Sequence, residues 1–180
     1  LFVSVDLDGL AEEVRAVQER FEGASGLNFT DPEQAHVTLK FLGEVGADRV
    51  ADIEAVLDRA VADAGVAPFE ATVEGVGVFP SLDYISVVWV GVTDDGQLAA
   101  LHEAVEDAFV AEGFEPEDHE FTPHVTVARM EHAGGKEHVQ AVVRERDPTV
   151  GTMRVEAVRL TESELTDEGP VYSTVHEVGL

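Results

Sequence analysis

The tetrad His36-Val37-Thr38-Leu39, within "QAHVTLKFLG", returns 88 positions later as His124-Val125-Thr126-Val127, within "TPHVTVAR". Both copies sit in β-rich runs, and in a strand residues i and i+2 share a face. His36 and Thr38 therefore project from one side, while Val37, Leu39 and Phe41 project from the other into a core. His124 and Thr126 are set against Val125 and Val127 in the same way. A chain with two such ribbons is confined to sheet architectures that cover one face and leave an imidazole and a hydroxyl on the other.

The elements around the tetrads recur in one order. "LFVSVD" alternates as a strand. Leu10 to Phe21 carries apolar residues at helical spacing, with Asp8 as the expected N-cap and Gly23 near the end. "AHVTLKFLG" reads as a strand stopping at Gly43, and Val50 to Val61 is helical from its Ile53, Val56, Leu57, Ala60, Val61 stripe. "PFEATVEGVGVFPSLDYISVVWVGV" predicts two strands turning at Pro80-Ser81-Leu82-Asp83. A helix capped by Asp94 follows, then the second tetrad strand, a helix over Lys136 to Arg144, and the strands "TMRVEAVRLTES" and "GPVYSTVHEVGL". Strand, helix, tetrad strand, helix and strand thus run from residue 2 to about 79 and again from about 86 to 162, with "TVEGVGVF" answering "RVEAVRLT". The expected fold is α+β: one two-lobed domain over 1–180, built of two pseudo-twofold units. Antiparallel sheets would flank a central cleft, helices would lie outside, and the twofold would set the two tetrad strands face to face.

Two imidazoles and two hydroxyls in one cleft suit phosphoester chemistry without a metal. Imidazole titrates near pH 6.5, so one ring can be neutral while its neighbour is protonated. The neutral ring accepts a proton from the nucleophile and the protonated one donates to the leaving oxygen. Thr38 and Thr126 would donate to the non-bridging oxygens, where negative charge develops. A lone His-x-Thr in a strand is ordinarily a surface or satisfied core feature; two copies at equivalent points of matching halves raise a catalytic pair, His36 and His124, to equal weight.

Charge limits the partner. Thirty-seven acids against eleven bases give a formal net charge of −26, and only Lys40 and Lys136 are lysines. Such like charge repels itself in dilute buffer, whereas near 1 M salt the Debye length is about 3 Å and the repulsion is screened. The composition is read as adaptation to a very salty cytoplasm. No basic stripe is present to grip polynucleotide phosphates in general, so a nucleic-acid substrate would be held over a few atoms. No apolar run approaches the ~18 residues of a membrane span, no signal-peptide pattern opens the chain, and cysteine is absent. A cytoplasmic monomer is expected. The chain begins at Leu1, so one or two preceding residues are expected.

Five ordered segments together resemble the two-histidine phosphoesterase superfamily, and within it the RNA 2′,3′-cyclic phosphodiesterases also called 2′-5′ RNA ligases. "LFVSVDL" is similar to the family's opening strand, "HVTLKFLGEV" and "FTPHVTVAR" to its two His-x-Thr-x motifs, "GVGVFPS" and "VVWVGV" to its linking segments, and "LTESELTDEGPVYSTV" to its closing hairpin. The resemblance implies hydrolysis of an RNA terminal 2′,3′-cyclic phosphate, on tRNA-derived or other RNA ends, to a 2′-phosphomonoester, with no metal and no cofactor. It implies His124 as the base acting on water, His36 as the acid for the 3′ leaving oxygen, and Thr38 and Thr126 on the phosphate; the two histidines can exchange roles with substrate orientation. Arg129 matches the arginine that closes the second motif and would bind phosphate, although its strand parity is opposite to that of His124, so a bulge or strand end must turn it inward. The family's arginine ahead of the opening strand is not in this chain. Open alternatives are the same chemistry on small cyclic nucleotides, an ADP-ribose cyclic phosphate or 2′-5′ linked oligonucleotides, a module that binds RNA ends without turnover, and a His-rich metal protein.

Other residues carry weaker signals. His102 is expected to be exposed or interfacial, His132, His138 and His176 to be on the surface, and His119 to lie among chance acids rather than in a metal site. Lys40 shares parity with His36 and Thr38, and exposure at the far end of the strand is favoured over phosphate contact. Phe79, Tyr84 and Trp89 could stack a nucleobase at the cleft rim, with a core position favoured for Trp89. "GVGVFP" precedes no helix and is not a phosphate-cradling loop.

Overall fold

The two tetrad strands lie beside each other at the centre of one antiparallel sheet. The computed structural model describes residues 1–145 and 149–180. Its elements are β1 (Phe2–Asp6), α1 (Ala11–Glu19), β2 (Leu27–Phe29), β3 (His36–Phe41), α2 (Val50–Ala64), β4 (Phe69–Pro80), β5 (Ile85–Thr93), α3 (Gln97–Ala111), β6 (His124–Met130), α4 (Lys136–Arg144), β7 (Thr149–Val155), β8 (Ala157–Thr166) and β9 (Gly169–Gly179). The strand order is β7-β4-β5-β6-β3-β1-β8-β9, with β2 attached to β6. β3 and β6 share a single registered pair, Val37 opposite Val125, and this pair joins the two lobes. The α+β, two-lobed arrangement expected from the sequence is present; its two antiparallel sheets meet there to form one curled sheet.

The lobes differ from the sequence halves in one respect. β4 ends the first half yet pairs with β5 and β7, and β8 ends the second half yet pairs with β1 and β9. Each lobe therefore takes its third strand from the other half. The cause is local: β4 runs straight into β5 through a short turn, and consecutive antiparallel strands pair. That pairing carries β4 across to the lobe of β6.

The helices cover the face opposite the cleft. α2 turns Ile53, Val56, Leu57, Ala60 and Val61 inward, and α3 turns Leu98, Leu101, Val105 and Phe109. Apart from the small Ala60, each such side chain, fully buried, contributes roughly 1.5–3 kcal/mol. Against them lie Val37, Leu39, Val125 and Val127, all at most 2% exposed. α2 ends at Gly65, whose φ of 62° is the left-handed turn that glycine adopts without strain. The Asp94 carboxylate accepts the Leu98 N–H at 2.7 Å at the start of α3, as expected. Asp8 does not cap α1: the helix begins without a side-chain cap, and Asp8 instead faces Arg159 at 3.6 Å. No helix among the described residues is long and apolar enough to cross a membrane.

Candidate active site

Pairing Val37 with Val125 in antiparallel register sets His36 beside Thr126 and Thr38 beside His124. The two imidazoles then occupy one diagonal of a square and the two hydroxyls the other. In a regular antiparallel pair the backbone positions of such diagonal neighbours are about 7–8 Å apart, so both imidazoles issue from one stretch of the cleft floor. All four side chains line one cleft of about 1180 Å³.

Each tetrad strand carries a bulge at the same place. Against β1, Lys40 is opposite Val3 and Thr38 opposite Ser4, which leaves Leu39 unpaired. Against β5, Ala128 is opposite Val88 and Thr126 opposite Trp89, which leaves Val127 unpaired. An extra residue in one strand resets the alternation of faces. Leu39 and Lys40 are consequently both buried, as are Val127 and Ala128, and the next residue on each strand returns to the cleft. Those residues are Phe41 and Arg129. The parity conflict at Arg129 is thereby resolved, and two expectations are corrected. Phe41 is not a core residue but 65% exposed at the cleft. Lys40 is neither exposed nor beside His36: it is 2% exposed, and its Nζ donates to Glu106 Oε2 at 2.7 Å and to the Glu115 carbonyl at 2.9 Å.

Both imidazoles are held alike. His36 Nδ1–H donates to the Gln34 carbonyl at 2.9 Å, and His124 Nδ1–H donates to the Thr122 carbonyl at 2.7 Å. These bonds select the Nδ1–H tautomer of the neutral ring and leave Nε2 free. Each ring also meets an aromatic edge at near right angles: Tyr172 lies 5.1 Å from His36 and Phe79 lies 4.9 Å from His124. Phe2 lies 5.0 Å from His36, and Trp89 6.0 Å from His124. Trp89 is thus half-buried on the cleft face rather than in the core, since its register opposite Thr126 gives it that face. Tyr84 is 71% exposed and does not line the cleft.

Burial pushes both imidazoles below their ordinary titration range. At His36 the Gln34 carbonyl and Asp6 oppose the burial, while Arg129 adds to the lowering. At His124 the Thr122 carbonyl opposes it, while His36 and Arg129 add to the lowering. Arg129 thus acts on both rings, and none of the ion pairs among the described residues includes it. On a chain of net charge −26 it is an available cation at the cleft.

The remaining histidines fall outside this square. His102 is half-buried at the cleft margin, stacked on Phe121 at 4.1 Å, and its Nδ1–H donates to the Leu39 carbonyl at 2.9 Å. His119 is exposed beside Asp118 and Glu117, and among the described residues no three His, Asp or Glu side chains are grouped to hold a metal ion. His132 and His138 are on the surface. His176 is half-buried, joining Asp58 of α2 at 2.8 Å. Sequence reasoning missed Phe2, Tyr172 and Gln34: Phe2 reaches His36 through the pairing of β1 with β3, Tyr172 through the pairing of β1 with β8, whose hairpin partner β9 carries it, and Gln34 stands two residues before His36.

A family model described as the 2′-5′ RNA ligase superfamily matches residues 6–167. A Methanothermobacter thermautotrophicus protein named RNA 2′,3′-cyclic phosphodiesterase is 38% identical over 175 residues, covering 96% of this chain and 94% of its own length. An Archaeoglobus fulgidus protein of the same name is 37% identical over 174 residues, covering 96% and 95%. Among solved structures, a Thermus thermophilus protein superposes with a TM-score of 0.81 at 28% identity, covering 99% of this chain and 96% of that one. Escherichia coli LigT complexed with 3′-AMP superposes at 0.80 with 20% identity, covering 99% and 96%, a likeness of fold.

Proposed function

This chain belongs to the 2′-5′ RNA ligase superfamily, and on that footing we propose that His36 and His124 hydrolyse the 2′,3′-cyclic phosphate of an RNA end to a 2′-phosphomonoester. Its activity is that of a hydrolase, an RNA 2′,3′-cyclic phosphodiesterase. The observation that carries the mechanism is the matched pair of imidazoles, each with Nδ1–H bonded to the carbonyl two residues earlier and both lining one cleft.

In this mechanism His124 Nε2 takes a proton from water as the water oxygen attacks phosphorus. The P–O3′ bond breaks on the opposite side, and protonated His36 gives its Nε2 proton to O3′. The products are a 2′-phosphomonoester and a free 3′-hydroxyl. Thr38 and Thr126 donate hydrogen bonds to the non-bridging oxygens, and the Arg129 guanidinium offsets their charge. The low titration of both rings means that the free protein holds them mainly neutral at pH 7. A phosphate anion between them raises both, so substrate itself favours the protonated acid.

His36→Ala and His124→Ala should each lower turnover of a cyclic-phosphate-ended oligonucleotide on the order of 10³-fold in molar salt, with the unfolding transition preserved. Near-normal rates from either variant would end the proposal. The wild-type rate should survive chelator. A panel of cyclic-phosphate mononucleotides, 2′-5′ linked dinucleotides and oligonucleotides separates an RNA-end enzyme from one acting on small cyclic nucleotides, and binding without turnover would identify a recognition module.

A further inference from the structure

The two imidazoles stand alike, but the aromatic walls beside them are secured differently. Phe79, against His124, lies on the far part of β4, beyond the residues that pair with β7, where β5 alone flanks the strand. Tyr172, against His36, lies on β9, the last strand of the sheet, which has β8 on one side only. An edge strand presents unpaired N–H and C=O groups, and nothing in the ladder fixes its outer side.

Gln34 fills that role. Its Nε2 donates to the Pro170 carbonyl at 3.1 Å, and its Oε1 accepts the Tyr172 N–H at 2.7 Å. The side-chain amide thus occupies the place a peptide group of a further strand would take. The backbone carbonyl of the same residue accepts His36 Nδ1–H at 2.9 Å. Two residues before His124 stands Thr122, whose carbonyl makes the equivalent bond, but whose side chain has no hydrogen bond among the described residues.

We propose that Gln34 is a positioning residue, clamping the edge of β9 so that Tyr172 encloses His36 while the backbone of Gln34 orients the same ring. The proposal rests on the reading of His36 as one of the acid-base pair. The titratable and charged groups at His36 are Tyr172 on β9, packed against the ring, Asp6 on β1, itself paired with Arg159 of β8, and His124 and Arg129 on β6. Of these Gln34 holds Tyr172 alone. Loss of the clamp lets water reach one imidazole and leaves the other enclosed.

Gln34→Met keeps the side-chain length and removes both hydrogen bonds. In the free protein, side-chain NMR titration should then show His36 moving up toward ordinary imidazole behaviour, with His124 unmoved. In combination with Tyr172→Ala, Gln34→Met should add little further to the His36 shift. With substrate, kcat/KM at its own pH optimum should fall roughly tenfold in Gln34→Met as the ring loses its fixed position, and the limb of the pH profile that belongs to His36 should move to higher pH. An unmoved His36, or an equal shift at His124, overturns the proposal. Because that titration needs no substrate, it separates the two readings: inactive His36→Ala with an unmoved Gln34→Met sinks the clamp alone, and active His36→Ala with a shifted Gln34→Met sinks the acid-base reading alone.

Discussion

After the bulge, β3 buries Lys40 and returns Phe41 to the cleft, whereas β6 buries Ala128 and returns Arg129. One backbone device therefore delivers opposite chemistry on the two strands. On β3 the cation goes under the sheet, where it ties Glu106 of α3 and the Glu115 carbonyl to the strand. Glu106 in turn accepts the Glu117 N–H at 2.7 Å, so the loop leading to His124 is fastened to the strand that carries His36. On β6 the cation faces the cleft. The shared tetrad gives the cleft its twofold chemistry, and the residues flanking it give the cleft a direction, cationic near Arg129 and apolar near Phe41.

The largest break in this comparison comes from the buried cation. Lys40→Ala leaves the half-buried Glu106 without its partner and should cost about 3–5 kcal/mol in urea unfolding at molar salt. Lys40→Met combined with Glu106→Leu should recover most of that loss. Burial alone would raise the Glu106 carboxyl, but the bonds from Lys40 and the Glu117 N–H hold it below the usual carboxylate range. Its folded value lies under its unfolded one, so the stability from this pair is present at neutral pH. That stability is lost as pH falls through the depressed value, and the double variant should lack this acid sensitivity.

Arg129→Met should lower kcat/KM roughly 10²-fold at the pH optimum, since a donor to the developing phosphate charge is lost. It should also move the pH profile. Both imidazoles titrate low in the free protein, so both limbs of wild-type kcat/KM fall below about pH 6.5. Activity declines above that range because the acid is deprotonated. Removing the Arg129 charge raises both rings and shifts the optimum upward, and a fixed optimum would show that Arg129 does not face them.

Thr38→Val and Thr126→Val sharpen the symmetric part. Each removes one donor to the same phosphate, so the two should lower kcat similarly, about tenfold or somewhat more. A large loss from one alone would place the phosphate off the twofold. Phe41→Leu should be mildest, a few-fold rise in KM with kcat kept, because it keeps an apolar side chain at the rim.

Much of this molecule is legible in its sequence. The tetrad spacing exposes His36, Thr38, His124 and Thr126, and the helical stripe of α2 is read correctly because its apolar period is strong. The bulges are harder. An unpaired residue is defined by its partner strand, which for β3 is some thirty-five positions away in sequence and for β6 about as many. In β6 the consecutive apolar residues Val127 and Ala128 do break the alternation and signal a bulge. In β3 the charge of Lys40 conceals the same event. Tyr172 and Gln34 were invisible for another reason: their contact spans 138 positions and exists only once β9 is placed at the sheet edge.

The central claim is that one phosphate sits between two imidazoles drawn from opposite lobes. It is tested most directly by titrating a nucleoside 2′-phosphate into the protein in molar salt while following the His36 and His124 side-chain NMR signals. Both should move along one isotherm saturating at a single equivalent, each toward the protonated form. Movement of only one ring, or two isotherms with separate midpoints, would contradict it.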